Sequence, residues 1–358
     1  MITNDRQFEK PPFLLETPIR NFSTQQWCYP ALRQGIYEYF RQKPFRRVLL
    51  PEYVPQGIHD PFKKLNFEIG YYPVELSLKL KKDQLQRCIS DFNPEVFVYI
   101  HYFGTYVKEN INLLKEILPA QTIFFEDFAH TVPCDTLVYS GDICGFSFSK
   151  IAGVAEGSLM IFPRSEPDND CTYVSESRAS KELHTRFRMK LITEHLCSTV
   201  TTVPYLQRLV SFFAGKSRHY YPFLMDHYTE TMTHVSPSTA KIINRLDFNK
   251  IYERRKAIAQ HYLERLDSRY LFDLPRECFL AQALYGFPVV VDSQEKFQRF
   301  LQQHGVRGFM LKDRWWFKDS RQNSELLHCH YLLPINHTLS DTQVDRIIKA
   351  VNSSVIAE

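Results

Sequence analysis

Glu126 and Asp127 close the apolar run TIFF, and Lys150 stands 23 residues beyond Asp127 among small and apolar neighbours. From Phe146 to Ala155, Lys150 is the only charged residue. A buried charge costs free energy unless something pairs with it. These charges either reach water through loops or have a buried partner, and a bound cofactor would be such a partner. The chemistry differs between them. An amine in apolar surroundings sheds its proton more readily and becomes a nucleophile. A carboxylate at a strand end can cap a turn or hold a cation. For Lys150 the alternative is an ordinary exposed loop lysine, and the surrounding run of uncharged residues argues against it.

The elements around these residues set where they lie. VLLP from Val48, FEIGYYPV from Phe67, EVFVYIHYFG from Glu95 and TIFFED read as strands. The run from Glu95 is continuously apolar and ends in Gly104, as a central parallel strand would. ALRQGIYEYF, LKKDQLQRCI and NINLLKEIL carry helical periodicity between them. Alternating strands and helices imply βαβ units with right-handed crossovers. In such sheets ligands bind at the carboxyl ends of strands. Asp127, Gly104 and Tyr53 all follow or occupy such ends. Val138 to Phe148 and Ala155 to Phe162 are expected to form a hairpin-like pair or neighbouring strands. The composition shifts near Ser236. A long helix is expected from Ser238 to Leu266, then the strand GFPVVV, the helix EKFQRFLQQHG, and a closing helix with Ser340 as N-cap. This divides the chain into a large α/β domain, 1–237, whose first 25 residues form an arm, and a small α+β domain, 238–358.

Composition excludes several functions. Among 358 residues, 44% are hydrophobic and 23% charged, a globular balance. A net charge of +4 gives no electrostatic case for nucleic acid. Clusters such as Lys43 to Arg47 and Arg254-Arg255-Lys256 read as solvated faces. No apolar run approaches the roughly 20 residues that span a bilayer, and the charged, Pro-broken N-terminus is not a secretory signal. The eight cysteines include no CxxC pair, so neither a zinc site nor a disulfide framework is indicated, and cytoplasmic residence is expected. No GxGxxG or P-loop pattern occurs.

The ordered set EDFAH at 126–130, GDICGFSF at 141–148, Lys150 and Glu156-Gly157 resembles the DegT/DnrJ/EryC1/StrS family of pyridoxal-phosphate-dependent sugar aminotransferases. VLLPEYVPQGIHDPF, FPVVVDSQEKFQRFLQQHGV and LLPINHTLSDTQVDRIIKAV resemble further segments of that family. The resemblance runs from about Tyr29 to Val351 and is weakest over 165–235. It implies a fold-type-I transferase with a three-layer α/β large domain, acting as a homodimer with pyridoxal 5'-phosphate as cofactor. It also implies transfer of an amine, with glutamate as donor, to a keto group of a nucleotide-linked sugar.

Roles follow from the resemblance residue by residue. Lys150 would hold the cofactor covalently and carry protons. Asp127 would keep the ring nitrogen protonated. His130 would donate near the phenolic oxygen, the alternative being a histidine satisfied by backbone groups. Ser147 would bind phosphate. Tyr53 would stack on the ring, or be a core tyrosine. Ala31 and Leu32 fall where the family opens a phosphate-binding helix. The chain departs from the pattern in four places. Only Ser149 separates FSF from Lys150, YPALRQGI has no glycine at the helix start, HVSPS replaces an Asn-Tyr-Arg segment, and Ser158 follows Gly157. Two alternatives stand beside the aminotransferase. One is a related enzyme with a non-sugar substrate or other chemistry; the other is a non-catalytic binding protein on this fold.

Overall fold

The structure is a computed structural model that describes residues 2–3, 26–29, 31–152, 154, 157–163, 237–308, 315–316 and 329–354. Its centre is a seven-stranded sheet. In chain order the strands are β1 (Gln26–Tyr29), β2 (Arg47–Pro51), β3 (Glu68–Tyr72), β4 (Val96–Ile100), β5 (Ile123–Asp127), β6 (Ile143–Ser147) and β7 (Ser158–Ile161). The spatial order is β1-β7-β6-β5-β4-β2-β3. Strands β2 to β6 pair in parallel, and β7 runs antiparallel to both of its neighbours. The two segments expected as a pair, 138–148 and 155–162, thus contribute the adjacent strands β6 and β7.

Val96 to Ile100 and Ile143 to Ser147 are buried at every position, as continuous apolar runs in the middle of a sheet must be. Helices α1 (Leu32–Arg41), α2 (Gln56–Lys64), α3 (Lys82–Phe92) and α4 (Lys108–Ile117) connect the strands. A short helix, α5 (Phe148–Ile151), follows β6 directly and carries Lys150. Because β2 to β6 are parallel, Pro51, Ile100, Asp127 and Ser147 end on one edge of the sheet.

The expected long helix from Ser238 to Leu266 is broken. Helix α6 spans Pro237–Ile243 and helix α7 Phe248–Arg265. Asp247 sits between them, and its side chain accepts the Lys250 N–H at 3.0 Å. An N-cap carboxylate satisfies a first-turn donor and restarts the helix. After α8 (Glu277–Leu280), strand β8 (Phe287–Val290) pairs antiparallel with β9 (His330–Leu333). Helices α9 (Gln294–Gln303) and α10 (Asp341–Ser353) complete this part. Ser340 caps α10 as expected, with a reciprocal bond from Ser340 N–H to Gln343.

The apolar core is continuous from the sheet into the C-terminal elements and includes Tyr262, Phe287 and Leu333. A second cluster packs Phe146, Phe148 and Ile151 against Phe248, Ile251 and Tyr252 of α7. The Phe148 and Phe248 rings stack with centroids 5.5 Å apart. Helix α7 therefore backs the turn that presents Lys150.

Candidate active site

Glu126 and Asp127 alternate across β5, so the strand directs their side chains to opposite faces. Glu126 is fully buried and has its own partners. It accepts from His101 Nε2 at 3.2 Å and from the backbone N–H groups of Ser140 (2.7 Å) and Gly141 (2.6 Å). Burial opposes its ionisation, but these donors outweigh burial and leave the carboxyl below its ordinary value. The His101 ring lies flat on Phe128, with centroids 4.1 Å apart. Glu126 is thus a structural carboxylate held by the protein's own donors, and Asp127 lies on the other face of the strand.

Asp127 is 2% exposed. Its Oδ1 accepts the Ala129 N–H at 2.8 Å, so the turn reading holds for that oxygen. Burial raises its carboxyl above the ordinary value, while the Lys150 charge, the Ala129 bond and His101 pull it down. Asp127 pairs with Gly145 of β6, and Lys150 lies on the helix that follows β6 directly, so the two share one edge of the sheet.

His130 shares that field. Burial pushes its imidazole well below its ordinary value, and the Lys150 charge adds to the shift. The ring is therefore neutral. Its Nδ1 accepts the Phe103 N–H at 3.0 Å, which places the remaining ring proton on Nε2. The ring is stacked on Tyr285, with centroids 5.0 Å apart. Backbone satisfaction is thus realised at Nδ1, and the Nε2 proton is the one that could serve an acceptor.

Phe103 has φ +61°, the left-handed region that bulky residues avoid. It is held there at both ends. Its N–H goes to His130, and its carbonyl accepts the Tyr285 N–H at 2.8 Å. Gly104 follows at φ +89°, where a Cβ would stand 2.6 Å from the His130 carbonyl oxygen. Strain of this kind persists only where the surroundings over-determine it.

Ser147 ends β6 and is the residue before α5, with its Oγ 3.4 Å from Ser149 Oγ. Across the sheet it pairs with Ser158, which pairs with Tyr29. This register brings Ala31 and Leu32, at the start of α1, to the same edge. A Leu32 methyl lies 2.8 Å from where a Cβ on Gly145 would stand, and Gly145 pairs with Asp127. The Ala31 N–H is taken by Gln34 Oε1 at 3.3 Å. Leu32 and Arg33 contribute first-turn N–H groups, and neither α1 nor α2 has an acidic residue in its first turn. The Arg33 guanidinium lies 3.6 Å from the Cβ position of Gly57, over the start of α2. Two helix N-termini and an arginine make this corner favourable to an anion without glycine.

Tyr53 is fully buried. Its ring stacks on Tyr102 at 5.1 Å and meets His330 at 6.0 Å. These contacts are those of a core tyrosine, and Tyr102 is the aromatic residue that feels the Asp127 charge. Glu156 and residues 164–236, including His234 to Ser236 of the HVSPS segment, lie outside the described residues.

A second reading of the sequence, after the unbroken helix from Ser238, is overturned. Arg255 is not on a solvated face; it is 3% exposed. Its Nη1 donates to the Leu284 carbonyl at 2.5 Å and to that of Tyr285 at 3.5 Å, its Nη2 to that of Ile151 at 3.4 Å, and its Nε to His337 Nδ1 at 3.3 Å. The signal was present. Arg255 stands four residues from Ile251 and four from Ala259 on the buried stripe of α7. His101, Phe103 and Tyr285 were also missed. His101 alone had a visible cue, a polar residue directly after a fully apolar strand.

No protein-family model matches the chain, and no curated protein sequence matches it. Solved structures do. A sugar aminotransferase, Spr1654 from Streptococcus pneumoniae in its PMP form, superposes with a TM-score of 0.61 at 14% identity, covering 93% of this chain and 88% of that one. The sugar aminotransferase CalS13 from Micromonospora echinospora gives 0.60 at 13%, covering 92% and 87%. A DegT DnrJ EryC1 StrS aminotransferase from Brucella abortus gives 0.58 at 15%, covering 91% and 84%. The chain has the fold-type-I transferase fold.

The residues of this fold-type-I chain fit pyridoxal 5'-phosphate on observations independent of that likeness. A buried carboxylate suits a cationic ring nitrogen, a neutral imidazole with its proton on Nε2 suits an oxygen acceptor, and an amine lies within their field. Among the described residues, no group of three or more His, Cys, Asp or Glu is arranged to hold a metal, and no helix is long and apolar enough to cross a membrane.

Proposed function

We propose that this protein is a pyridoxal-phosphate-dependent aminotransferase that moves an amino group from glutamate to the keto group of a nucleotide-linked sugar. The observation that carries the reading is the convergence of Asp127, His130 and Lys150 at the carboxyl end of β5. The sugar class follows the sugar aminotransferases that share the fold; the nucleotide link follows the resemblance in the sequence. The homodimer follows the resemblance in the sequence.

Pyridoxal 5'-phosphate, when bound, supplies the electron sink for breaking a bond at the amino carbon. The chain supplies the rest. Asp127 would serve as counter-ion to the ring nitrogen, its carboxyl already drawn down by the Lys150 charge and the Ala129 N–H against the effect of burial. His130 donates from Nε2. The Lys150 amine is the covalent attachment point and, once released, the base and acid that moves a proton between the exchanging carbons. Ser147 and the N-terminus of α1 receive phosphate, with Leu32 and Ala31 at the helix start. Tyr53 supports the site through Tyr102.

The test has two parts. Added pyridoxal phosphate should give a visible absorbance band that Lys150→Ala abolishes. Glutamate should then convert the cofactor, and a panel of keto-sugar nucleotides should regenerate it. Conversion by glutamate with no regeneration by any sugar nucleotide would leave an aminotransferase of another substrate class. Absence of the band would refute the cofactor itself.

A further inference from the structure

The catalytic lysine and the histidine donor reside on separate segments, α5 and the loop after β5, yet one side chain from the C-terminal part reaches the supports of both. Arg255 projects from the buried face of α7. One arm of its guanidinium binds the Ile151 carbonyl, on the residue after Lys150. The other binds the Leu284 and Tyr285 carbonyls. Tyr285 in turn stacks on His130, and its N–H bonds the Phe103 carbonyl, whose own N–H bonds His130 Nδ1. His337, in the segment leading to α10, accepts from Nε.

We infer that Arg255 is a positioning residue that ties the Lys150 turn and the Tyr285–Phe103–His130 unit to helix α7, so that movement of the C-terminal part alters both ends of the site at once. This rests on the functional reading above. A planar guanidinium with a forked set of donors can serve acceptors on two chain segments at fixed separation, and an ammonium cannot. A carbonyl left without its buried donor also carries a desolvation cost, so the two segments relax together when the fork is removed. The role matches the physics of closure: an element that shifts on substrate binding must be linked to the reacting groups to complete the site. The arginine touches neither cofactor nor substrate in this scheme.

The experiment compares unaltered full-length protein with Arg255→Met and Arg255→Lys. Amide hydrogen exchange, read without added cofactor, is followed at Tyr285 and Ala152, whose N–H groups bond Phe103 and Phe148. Both variants should speed these amides at least about tenfold relative to Leu118 and Leu85, whose N–H groups close helical turns at α4 and α3. With pyridoxal phosphate added, the pH midpoint of the Lys150-dependent absorbance should move by at least about half a unit in both variants. Should Arg255→Met fail to fold, Arg255→Lys alone decides, because it keeps the charge and loses the fork. Exchange at Tyr285 and Ala152 that matches the unaltered protein, or that rises only in step with Leu118 and Leu85, overturns the inference, as does an unmoved midpoint. If unaltered protein gives no Lys150-dependent band, the cofactor reading falls, and the exchange comparison by itself decides whether Arg255 links the two segments.

Discussion

A histidine that accepts a backbone hydrogen bond at one nitrogen has its tautomer fixed by main-chain geometry. At His130 this makes the donor face a consequence of where Phe103 lies, and two expectations follow. His130→Phe leaves the buried Phe103 N–H without its acceptor and should cost about 1–3 kcal/mol in urea unfolding. It should also remove the donor needed for cofactor function. Asp127→Asn keeps the Ala129 bond to Oδ1 and removes the charge; the glutamate half-reaction should slow by about 100-fold or more in stopped-flow absorbance, with little loss of stability. A rate within about twofold of unaltered protein would take Asp127 out of the mechanism. The sequence made Asp127 and Lys150 conspicuous because each breaks an apolar run. It left Tyr285 and Phe103 silent, since aromatic residues are common in cores and nothing local marks a left-handed backbone at a phenylalanine.

At the scale of elements, the tight passage from β4 through Phe103 and Gly104 is the most constrained joint near the site. Gly104→Ala forces a side chain into a left-handed conformation and against the His130 carbonyl, and should destabilise by about 1–3 kcal/mol by differential scanning calorimetry. Strands β2, β4 and β5 were legible because a buried strand of a parallel sheet must be apolar throughout, and because helical periodicity separates them. The break at Asn244 to Asp247 was not. Apolar spacing continues across it, and only the Asp247 side chain, capping Lys250, reveals the restart. Arg255 was misread for a related reason. Charge outweighed periodicity in a cluster of three basic residues, although the stripe of α7 placed the middle one inward.

For the whole molecule, burial of histidines sets a pH limit on stability. The folded value of His130 lies well below its ordinary one, and that of His330 is pushed down to about 4, even though His330 donates to the Leu76 carbonyl. The unfolded chain protonates both near pH 6.5. Stability from these groups is complete above that value and is lost as pH falls toward their folded values, because the unfolded state then binds more protons. Asp127 acts in the opposite sense: its raised value favours the folded state in acid, and that contribution is lost as pH rises through it. Urea midpoints should therefore fall between about pH 7 and pH 5, and His330→Gln should flatten the slope. A midpoint constant across that range would show that the two imidazoles titrate alike in both states.

Strand β7 is the antiparallel member that seats β1, and the Ser158 hydroxyl bonds the Tyr29 carbonyl across 129 positions of sequence. Emerging from a ribosome, Gln26 to Tyr29 can find no mate until residue 161 has cleared the tunnel, whereas β2 to β6 assemble from nearer neighbours. The corner that would receive phosphate is consequently the last part of the sheet edge to be completed. Nascent chains stalled before Ser158 should display a protease-sensitive leading segment ahead of an already resistant parallel core.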